Sequence, residues 1–362
     1  MLSEIGSNFW INPNDGERCC VLETPFSLFG YKGSDSVWLS TGRSATRLVL
    51  QTIEERNPNV KKVAIIPPFT CYTVIDPFID FGYKIHTLPL SSDLSTVPED
   101  ILNSVESTQA EVLLVHRYYG FDTLPGFNEI IELLRSKGVV IIEDCTQCLY
   151  SDFALSDADY YVGSIRKWCG VPDGGFAICR DGNFEQKPCR SDEKMVEAKR
   201  IASELKYQFL FEAKGDKLTY KAKYIEAEGL LGAQKELYLI GELSAKIQAE
   251  LDIAILKQKR RENFNMLLKG LQNVADLSIL FKVLPEDVTP LYFPILVADR
   301  LQWQDFLADN DIYAPVVWPK PSRCPVIDNN SQKVYDQILC IPIDQRYGTD
   351  DMKRIVKIIN KK

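Results

Sequence analysis

The sequence predicts an α/β fold with a mostly parallel central sheet that helices cover on both faces. Residues 63–66, 112–115 and 139–142 are short, continuously apolar runs, which is typical of strands buried on both faces. Residues 130–134 have helical spacing, and Gly138 ends that segment. Strands that alternate with helices imply parallel pairing, and ligands bind beyond the carboxyl ends of such strands.

The chain of 362 residues is long enough for two domains. We expect a large domain over residues 1–255, which includes an N-terminal segment at 1–36. A charge-rich stretch at 185–228 is interpreted as a solvated helical excursion from this domain. A smaller C-terminal α+β domain is expected over residues 256–362.

Apolar spacing also predicts elements near the domain boundary and beyond it. Leu243, Ile247, Leu251 and Ile255 fall on one face of a helix, so a single long helix is expected to join the domains. Residues 291–297 are expected to form a strand of the small domain. Near the N-terminus, Trp10 and Trp38 suggest an aromatic lid or a core cluster, and the core is favoured.

Composition argues against several classes of function. The net charge of −8 argues against nucleic acid or an anionic membrane as the main partner. No apolar run approaches the ~18 residues that a membrane span needs, and the N-terminus lacks signal-peptide features. A cytoplasmic protein is therefore expected.

The cysteines and histidines are interpreted as structural rather than metal-binding. Ten cysteines in a chain of this length do not indicate a disulfide framework. Cys145 and Cys148 imitate a redox pair, although a loop after a strand accounts for the same residues. With only His86 and His116 in the chain, no metal site is expected.

An ordered set of residues in the middle of the chain carries the strongest chemical signal. The apolar run at 139–142 leads to Asp144, then come Ser164 and Lys167, and a glycine pair follows at Gly174 and Gly175. This layout is typical of a pyridoxal-phosphate (PLP) site. The lysine amine forms an imine with the cofactor aldehyde, and the aspartate keeps the pyridine nitrogen protonated.

The serine and the glycines of this set can bind the cofactor's phosphate and let the cofactor approach the backbone closely. The hydroxyl of Ser164 and nearby backbone N–H groups can bind phosphate, while glycines let the backbone pass close to a ligand. Taken singly, Lys167 could be a solvated surface charge and Asp144 a helix cap. The set in its order is much more specific than either residue alone.

These motifs resemble the DegT-type (sugar aminotransferase) family of fold-type I PLP enzymes. Residues 143–147 (EDCTQ) are similar to the family's strand-end motif "viEDaAQ". Further matches, in chain order, are 41–45 (TGRSA) to "SGTAA", 66–72 (IPPFTCY) to "vPsfTf", 115–120 (VHRYYG) to "VHlyG" and 338–343 (ILCIPI) to "vLsLPi". The resemblance therefore runs from about Thr41 to the end of the chain.

The resemblance implies roles for further residues. The backbone of the turn at 41–45, with Arg43 and Ser44, would hold the phosphate. Gln147 would contact the phenolic oxygen of the cofactor, or be a loop amide that the backbone satisfies. A Gln here favours amine transfer, since related sugar dehydratases carry His. For Arg43, a side chain that reaches the phosphate and one that lies on the surface remain equal alternatives.

Other candidates keep two interpretations each. Tyr72 or Phe69 would stack on the pyridine ring, or pack in the core. His116 would lie near the ring or be a structural histidine. Trp318 would approach the active site. Arg346 could clamp the carboxylate of a donor, although a surface ion pair is the favoured alternative.

The resemblance implies an aminotransferase that moves an amino group from an amino acid, by family glutamate, to a ketone on a nucleotide-linked sugar. It also implies a homodimer with shared active sites, to which the segment 185–228 would contribute. One alternative is another PLP reaction, such as dehydration, decarboxylation or racemisation. A second is a non-catalytic relative, against which the presence of Lys167 and Asp144 counts.

Overall fold

The computed structural model describes residues 4–17, 20–153, 155–323 and 325–362. The chain divides into two compact units. The first unit contains Met1–Ser7, Val60–Ala158 and Asp252–Lys362, and the second contains Asn8–Asn59 and Asp159–Leu251. The expected division at residue 255 into a large and a small domain stays a prediction.

The strands are, in chain order, β1 (Ile5–Gly6), β2 (Asp35–Leu39), β3 (Val63–Ile66), β4 (Lys84–Thr87), β5 (Val112–His116), β6 (Val140–Asp144), β7 (Tyr160–Ser164), β8 (Gly175–Cys179), β9 (Leu277–Ile279), β10 (Phe293–Val297), β11 (Ile312–Tyr313) and β12 (Ile338–Ile341). The helices are α1 (Pro25–Phe29), α2 (Gly42–Arg56), α3 (Tyr72–Asp80), α4 (Pro98–Thr108), α5 (Ile131–Ser136), α6 (Glu193–Phe211), α7 (Lys217–Gly232), α8 (Glu242–Glu250), α9 (Ile253–Gly270), α10 (Arg300–Ala308), α11 (Asn329–Gln337) and α12 (Thr349–Ile359). Phe127–Ile130 and Ile165–Lys167 form 3₁₀ turns. Within the described residues, none of the helices has the length and apolar character needed to cross a bilayer.

The main sheet of the first unit contains β6, β5, β3 and β4 in that order, all parallel. Every residue of β5 is buried, as a strand covered on both faces requires. The three strands predicted from apolar runs are confirmed, and so is the helix before β6, which begins as a 3₁₀ turn. Because the strands are parallel, their carboxyl ends meet at one edge of this sheet.

A second, antiparallel sheet in the first unit has the order β12-β10-β9. The predicted strands at 291–297 and 338–343 are therefore confirmed, although each is shorter than expected. Helices α9 and α12 contribute Phe264 and Ile355 to the core that includes Phe293 and Leu339 of this sheet. Strand β1 pairs with β11 in parallel, which ties the N-terminus to the same unit.

The second unit contains the antiparallel order β2-β8-β7 and the helical hairpin α6–α7. The hairpin covers most of the charge-rich stretch, so the predicted helical excursion is confirmed. It has a small core of its own, in which Ala202 packs with Tyr220 and Tyr224. The tryptophans near the N-terminus join separate clusters, Trp10 with Phe211 and Trp38 with Phe29 and Phe176.

The prediction of one long helix through Leu243 and Ile255 is wrong. The segment forms α8 and α9, which are separated at Leu251 and Asp252. Asp252 caps the second helix, since its Oδ1 accepts a hydrogen bond of 2.9 Å from the backbone N–H of Ile255. Ile247 is buried but Ile255 is 52% exposed, so the apolar spacing does not mark a continuous face.

Candidate active site

Asp144 and His116 lie opposite each other at the carboxyl edge of the parallel sheet in the first unit. They end β6 and β5 and are register partners. Both side chains are buried, and Asp144 Oδ1 accepts a hydrogen bond of 2.9 Å from the backbone N–H of Thr146. The continuous apolar strands thus deliver a carboxylate and an imidazole to the edge where ligands bind in such sheets.

A buried ion pair holds the two strand ends through the residue after His116 and the residue before Asp144. The guanidinium of Arg117 contacts the carboxylate of Glu143, and its Nε donates to Asp122 Oδ1 at 2.8 Å. The hydroxyl and backbone N–H of Ser156 donate to the second oxygen of Glu143. Side chains alternate along a strand, so this pair fixes the backbone that presents His116 and Asp144.

Gln147 and His116 each carry a buried nitrogen to which the described residues offer no hydrogen bond. Gln147 Oε1 accepts a hydrogen bond of 2.6 Å from the backbone N–H of Tyr119. Nε2 of Gln147 and Nε2 of His116 have no hydrogen-bond partner among the described residues. Burial lowers the pKa of His116 to about 3, despite a hydrogen bond with the backbone of Phe69, so the ring is neutral. Buried polar atoms without partners are uncommon in folded proteins and indicate a place for a ligand.

Within the first unit, the ring of Trp318 packs against residues at this edge. Its ring lies parallel to that of His116, with 5.3 Å between centroids, and edge-on to that of Phe69 at 5.1 Å. Val317 has a φ of 61°, and the N–H of Trp318 donates to Val316 O at 2.7 Å, as in a strained γ-turn. Phe69 is fully buried in this cluster, whereas Tyr72 is 49% exposed at the start of α3.

Lys167 lies in the second unit, at the end of the 3₁₀ turn after β7, and is exposed. The turn is held on both sides of the lysine. Ser164 Oγ donates to Gly174 O at 3.0 Å, and the next residue after the lysine, Trp168, is fully buried. Gly174 has a φ of 134°, which an L side chain rarely adopts. The loop is therefore fixed around an accessible amine.

The N-terminus of α2 forms the second feature of this unit. Thr41 caps the helix, since its Oγ1 accepts a hydrogen bond of 3.0 Å from the N–H of Ser44, and the two hydroxyls lie 2.9 Å apart. A Cβ atom at Gly175 would lie 2.2 Å from the carbonyl carbon of Thr41, so only glycine allows this approach. Arg43 Nη1 donates to Gly232 O at 3.3 Å. Backbone N–H groups at the start of a helix suit an anion.

Comparison with solved structures supports the expected fold over the whole chain. Sugar aminotransferase CalS13 from Micromonospora echinospora superposes with a TM-score of 0.67 at 15% identity, covering 100% of this chain and 99% of that one. Helicobacter pylori PseC, an aminotransferase of pseudoaminic acid biosynthesis, has a TM-score of 0.68 at 12% identity, with 99% and 98% covered. A DegT/DnrJ/EryC1/StrS aminotransferase from Brucella abortus has a TM-score of 0.66 at 15% identity, with 95% and 92% covered.

The fold is that of the sugar aminotransferases. The predicted resemblance to the DegT-type enzymes of fold type I is thus confirmed at the level of fold. No protein-family model matches the sequence, and the search of curated proteins finds no match. Identities of this size establish architecture, so the reaction has to be argued from the residues of this chain.

PLP, the cofactor that the sugar aminotransferase fold implies, fits the residues present in each unit. In the first unit, Asp144 offers a buried carboxylate, and Gln147 offers an amide nitrogen without a hydrogen-bond partner in the described part of the chain. In the second unit, Lys167 offers an accessible amine. The glycine at position 175 keeps the backbone of the Thr41 turn free of side-chain bulk, as a phosphate held by backbone N–H groups requires.

The structure gives Arg346 an ion pair within the protein and places the two predicted loop cysteines in a buried turn. The guanidinium of Arg346 pairs with Asp344 through Nε at 2.7 Å and Nη2 at 3.0 Å, and neither side chain is more than 9% exposed. The favoured alternative was an ion pair on the surface, whereas this pair is buried, and contact with a substrate stays a prediction. Cys145 and Cys148 are both buried thiols in the turn after β6.

Sequence reasoning missed the charged residues around the lysine turn. Arg166 and Lys199 both bind the carboxylate of Glu228, although 62 residues separate Arg166 from that glutamate. Sequence reasoning also gave no role to Asp173, which is fully buried. Its carboxylate accepts hydrogen bonds from Ser244 Oγ and from the N–H of Gly241. The only local signal was the position of Asp173 beside the glycine pair.

Proposed function

We propose that this chain is a PLP-dependent aminotransferase that moves an amino group from an amino acid to a ketone. The observation that carries the proposal is the edge at Asp144, where a buried carboxylate lies beside two buried nitrogens that have no hydrogen-bond partner among the residues that the structure describes. A site of this kind needs a polar ligand, and the sugar aminotransferase fold supports PLP as that ligand.

Each residue then has a defined task. Once bound through Lys167, PLP supplies an electron sink that makes the Cα–H bond of an amino acid acidic. Asp144 would keep the pyridine nitrogen protonated, and the amide of Gln147 would donate to the phenolic oxygen. The backbone of the Thr41 turn would hold the phosphate. The amine of Lys167, when it is not bonded to the cofactor, would act as the base that takes the proton from Cα of the donor and, as its conjugate acid, would deliver that proton to the C4′ carbon of the cofactor.

The substrate assignment follows from similarity in fold. The neighbours include sugar aminotransferases, which supports a keto-sugar as acceptor. We extend this proposal to glutamate as the amino donor and to an acceptor sugar that is linked to a nucleotide. Gln147 supports amine transfer over dehydration, since its amide cannot act as an acid that expels a hydroxyl group.

The proposal is tested by spectroscopy of the purified protein. Wild type should be yellow with bound cofactor, glutamate should bleach its visible band, and a nucleotide-linked keto-sugar should restore it. A visible band that no amino acid bleaches would replace transamination by another PLP reaction. Bleaching without recovery by any keto-sugar would refute only the acceptor class.

A homodimer with shared active sites is the assembly that we propose. Its support in this structure is an exposed apolar stripe on α7, where Leu218 is 81% and Ile225 is 74% exposed. Gly229 follows on the same face and has open space around it. A second copy of the hairpin would cover this stripe, and Ile225→Glu should then yield monomers by light scattering. Val283→Glu, at a site that is 72% exposed, is the control that should stay dimeric.

A further inference from the structure

A cluster of charges in the second unit connects the lysine turn to the helical hairpin. The carboxylate of Glu228, on α7, accepts from Arg166 Nη2 at 2.5 Å and from Lys199 Nζ. Arg166 directly precedes Lys167 in the 3₁₀ turn, and Lys199 projects from α6. One oxygen of Glu228 thus joins three elements of the unit.

Lys199 is held too firmly to be an ordinary surface lysine. The residue is 7% exposed, and its Nζ lies 4.8 Å from the centroid of the Tyr224 ring. Tyr224 is itself fixed, because its hydroxyl donates to Phe9 O at 2.5 Å and lies 3.1 Å from Ser203 Oγ. The carboxylate of Glu228 therefore binds a preorganised partner.

The charges of the cluster act on each other strongly. Burial alone would raise the pKa of Glu228, but Arg166, Lys199 and Lys167 lower it to about 2. Burial, Arg166 and Lys167 lower the pKa of Lys199 to about 8, against the opposing effect of Glu228. At neutral pH Glu228 is thus an anion and Lys199 largely a cation, and both act on Lys167.

Other charged groups act on this cluster from neighbouring elements. The carboxyl of Asp173 is influenced by the charge of Arg166, and Glu193 at the start of α6 influences Asp173 in turn. Neither contacts Glu228 in the way that Arg166 and Lys199 do. Glu228 is therefore an anion that balances Arg166 and Lys199 next to the lysine turn.

We propose that Glu228, held by Lys199 and Arg166, is a positioning residue that sets the electrostatic field at the Lys167 nitrogen. The hairpin α6–α7 thereby tunes the acidity of the lysine that carries the cofactor. A nearby anion stabilises a positive charge on that nitrogen, and a nearby cation destabilises it. This inference rests on the proposed function, in which Lys167 binds PLP.

The test is a pH titration of the visible band of the cofactor-loaded enzyme. Its midpoint is the pH at which half of the absorbance change has occurred. Glu228→Gln removes the anion and should lower this midpoint by about half a unit to one unit. Lys199→Met removes a cation, leaves Glu228 less neutralised and should raise the midpoint by a similar amount. Glu226→Gln is the matched control, since this exposed residue of the same helix pairs with Lys223 and should leave the midpoint unchanged.

The two variants are expected to shift the midpoint in opposite directions, which distinguishes an electrostatic effect from a loss of structure. A general loosening of the hairpin would move both midpoints in one direction, so shifts of the same sign, or an unchanged midpoint in Glu228→Gln, would overturn the inference. If circular dichroism shows that Glu228→Gln does not fold, Lys199→Met carries the test, and an unchanged or lowered midpoint in it refutes the proposal.

A second readout does not depend on the cofactor. Lysines of the cofactor-free protein can be ¹³C-methylated and titrated by NMR, and the Lys167 midpoint should fall in Glu228→Gln and rise in Lys199→Met. Wild type without any visible band would refute the proposed function, while this titration would still decide the inference. An unchanged Lys167 midpoint in both variants would refute the inference and leave the proposed function untouched.

Discussion

The two units hold their candidate site residues in opposite electrostatic settings. In the first unit, Asp144, Gln147 and His116 are buried beside aromatic rings, and the imidazole is neutral. In the second unit, Lys167 is exposed and belongs to a turn whose neighbours Arg166 and Lys199 are charged and paired with Glu228. A dry setting suits recognition of a fixed polar ring, and a charged setting suits an amine that must change its protonation state.

The difference teaches how each set of residues is kept in place. Side chains in the first unit depend on backbone held by a buried ion pair and on packing against Trp318. The lysine turn depends on the hydrogen bond from Ser164, on two glycines and on a charge pair between residues that are distant in the sequence. Substitutions in the first unit should therefore disturb stability and chemistry together, whereas substitution of Glu228 or Lys199 should change chemistry with smaller effects on folding.

The largest expected effect is that of Lys167→Ala. Without the amine, turnover should fall on the order of 10⁴-fold, because both the covalent link and the proton carrier are lost. Borohydride reduction and peptide mapping of wild type should place the cofactor on Lys167 alone. Lys187→Ala, which removes a lysine paired with Asp35, is the control and should keep full turnover and label. Label on another lysine would contradict the assignment.

Asp144→Asn should have the next largest effect. The neutral amide cannot keep the pyridine nitrogen protonated, so the half-reaction with glutamate should slow by roughly 10³-fold while some cofactor remains bound. Stopped-flow measurement of the visible band gives this rate directly. A half-reaction as fast as that of wild type would show that the carboxylate has no such role.

Arg117→Met tests the dependence of the first unit on buried polarity. The variant leaves Glu143 as an unpaired buried charge, so unfolding should become easier by about 3 kcal/mol in urea titrations. The double variant Arg117→Met/Glu143→Leu should recover part of this loss. Arg190→Met, which breaks an exposed pair with Glu236 in the second unit, should leave stability unchanged. Equal effects at the buried and the exposed pair would remove the contrast between the units.

The sequence was most informative where structure is set by local pattern. Continuous apolar runs predicted β3, β5 and β6, and with them the positions of His116 and Asp144 at the carboxyl edge. The order of Ser164, Lys167 and the glycine pair also marked the segment that forms a 3₁₀ turn at Lys167, although its role in a PLP site stays a prediction. In these cases burial and backbone geometry act within a few residues, so the residue types record them.

Prediction failed where a single cap or a distant partner decides the structure. Asp252 ends the apolar spacing of α8 and starts a new helix, although periodicity alone favoured one continuous helix. The pairing of Glu228 with Arg166 arises when the hairpin packs, and neither residue carries a local sign of it. Gln147 Nε2 lacks a hydrogen-bond partner among the described residues. This too depends on three-dimensional packing, which composition does not reveal.

The last expected effect, which is no larger than that of Arg117→Met, concerns Asp173, the buried carboxyl beside the glycine pair. Burial raises its pKa from the usual 3.8 to about 6, although hydrogen bonds from Ser244 and Gly241 oppose the shift. Between these two pH values the folded state holds the proton more tightly than the unfolded chain does. The contribution of Asp173 to stability should therefore fall as the pH rises from about 4 to about 6 and stay lower above that range.

Asp173→Asn, which resembles the protonated form, should lack this fall. Its stability relative to wild type should therefore rise by up to about 3 kcal/mol over this pH range. Urea titrations of both proteins at several pH values measure the difference. A parallel pH dependence of the two proteins would show that the buried carboxyl titrates normally and that its hydrogen bonds compensate for burial.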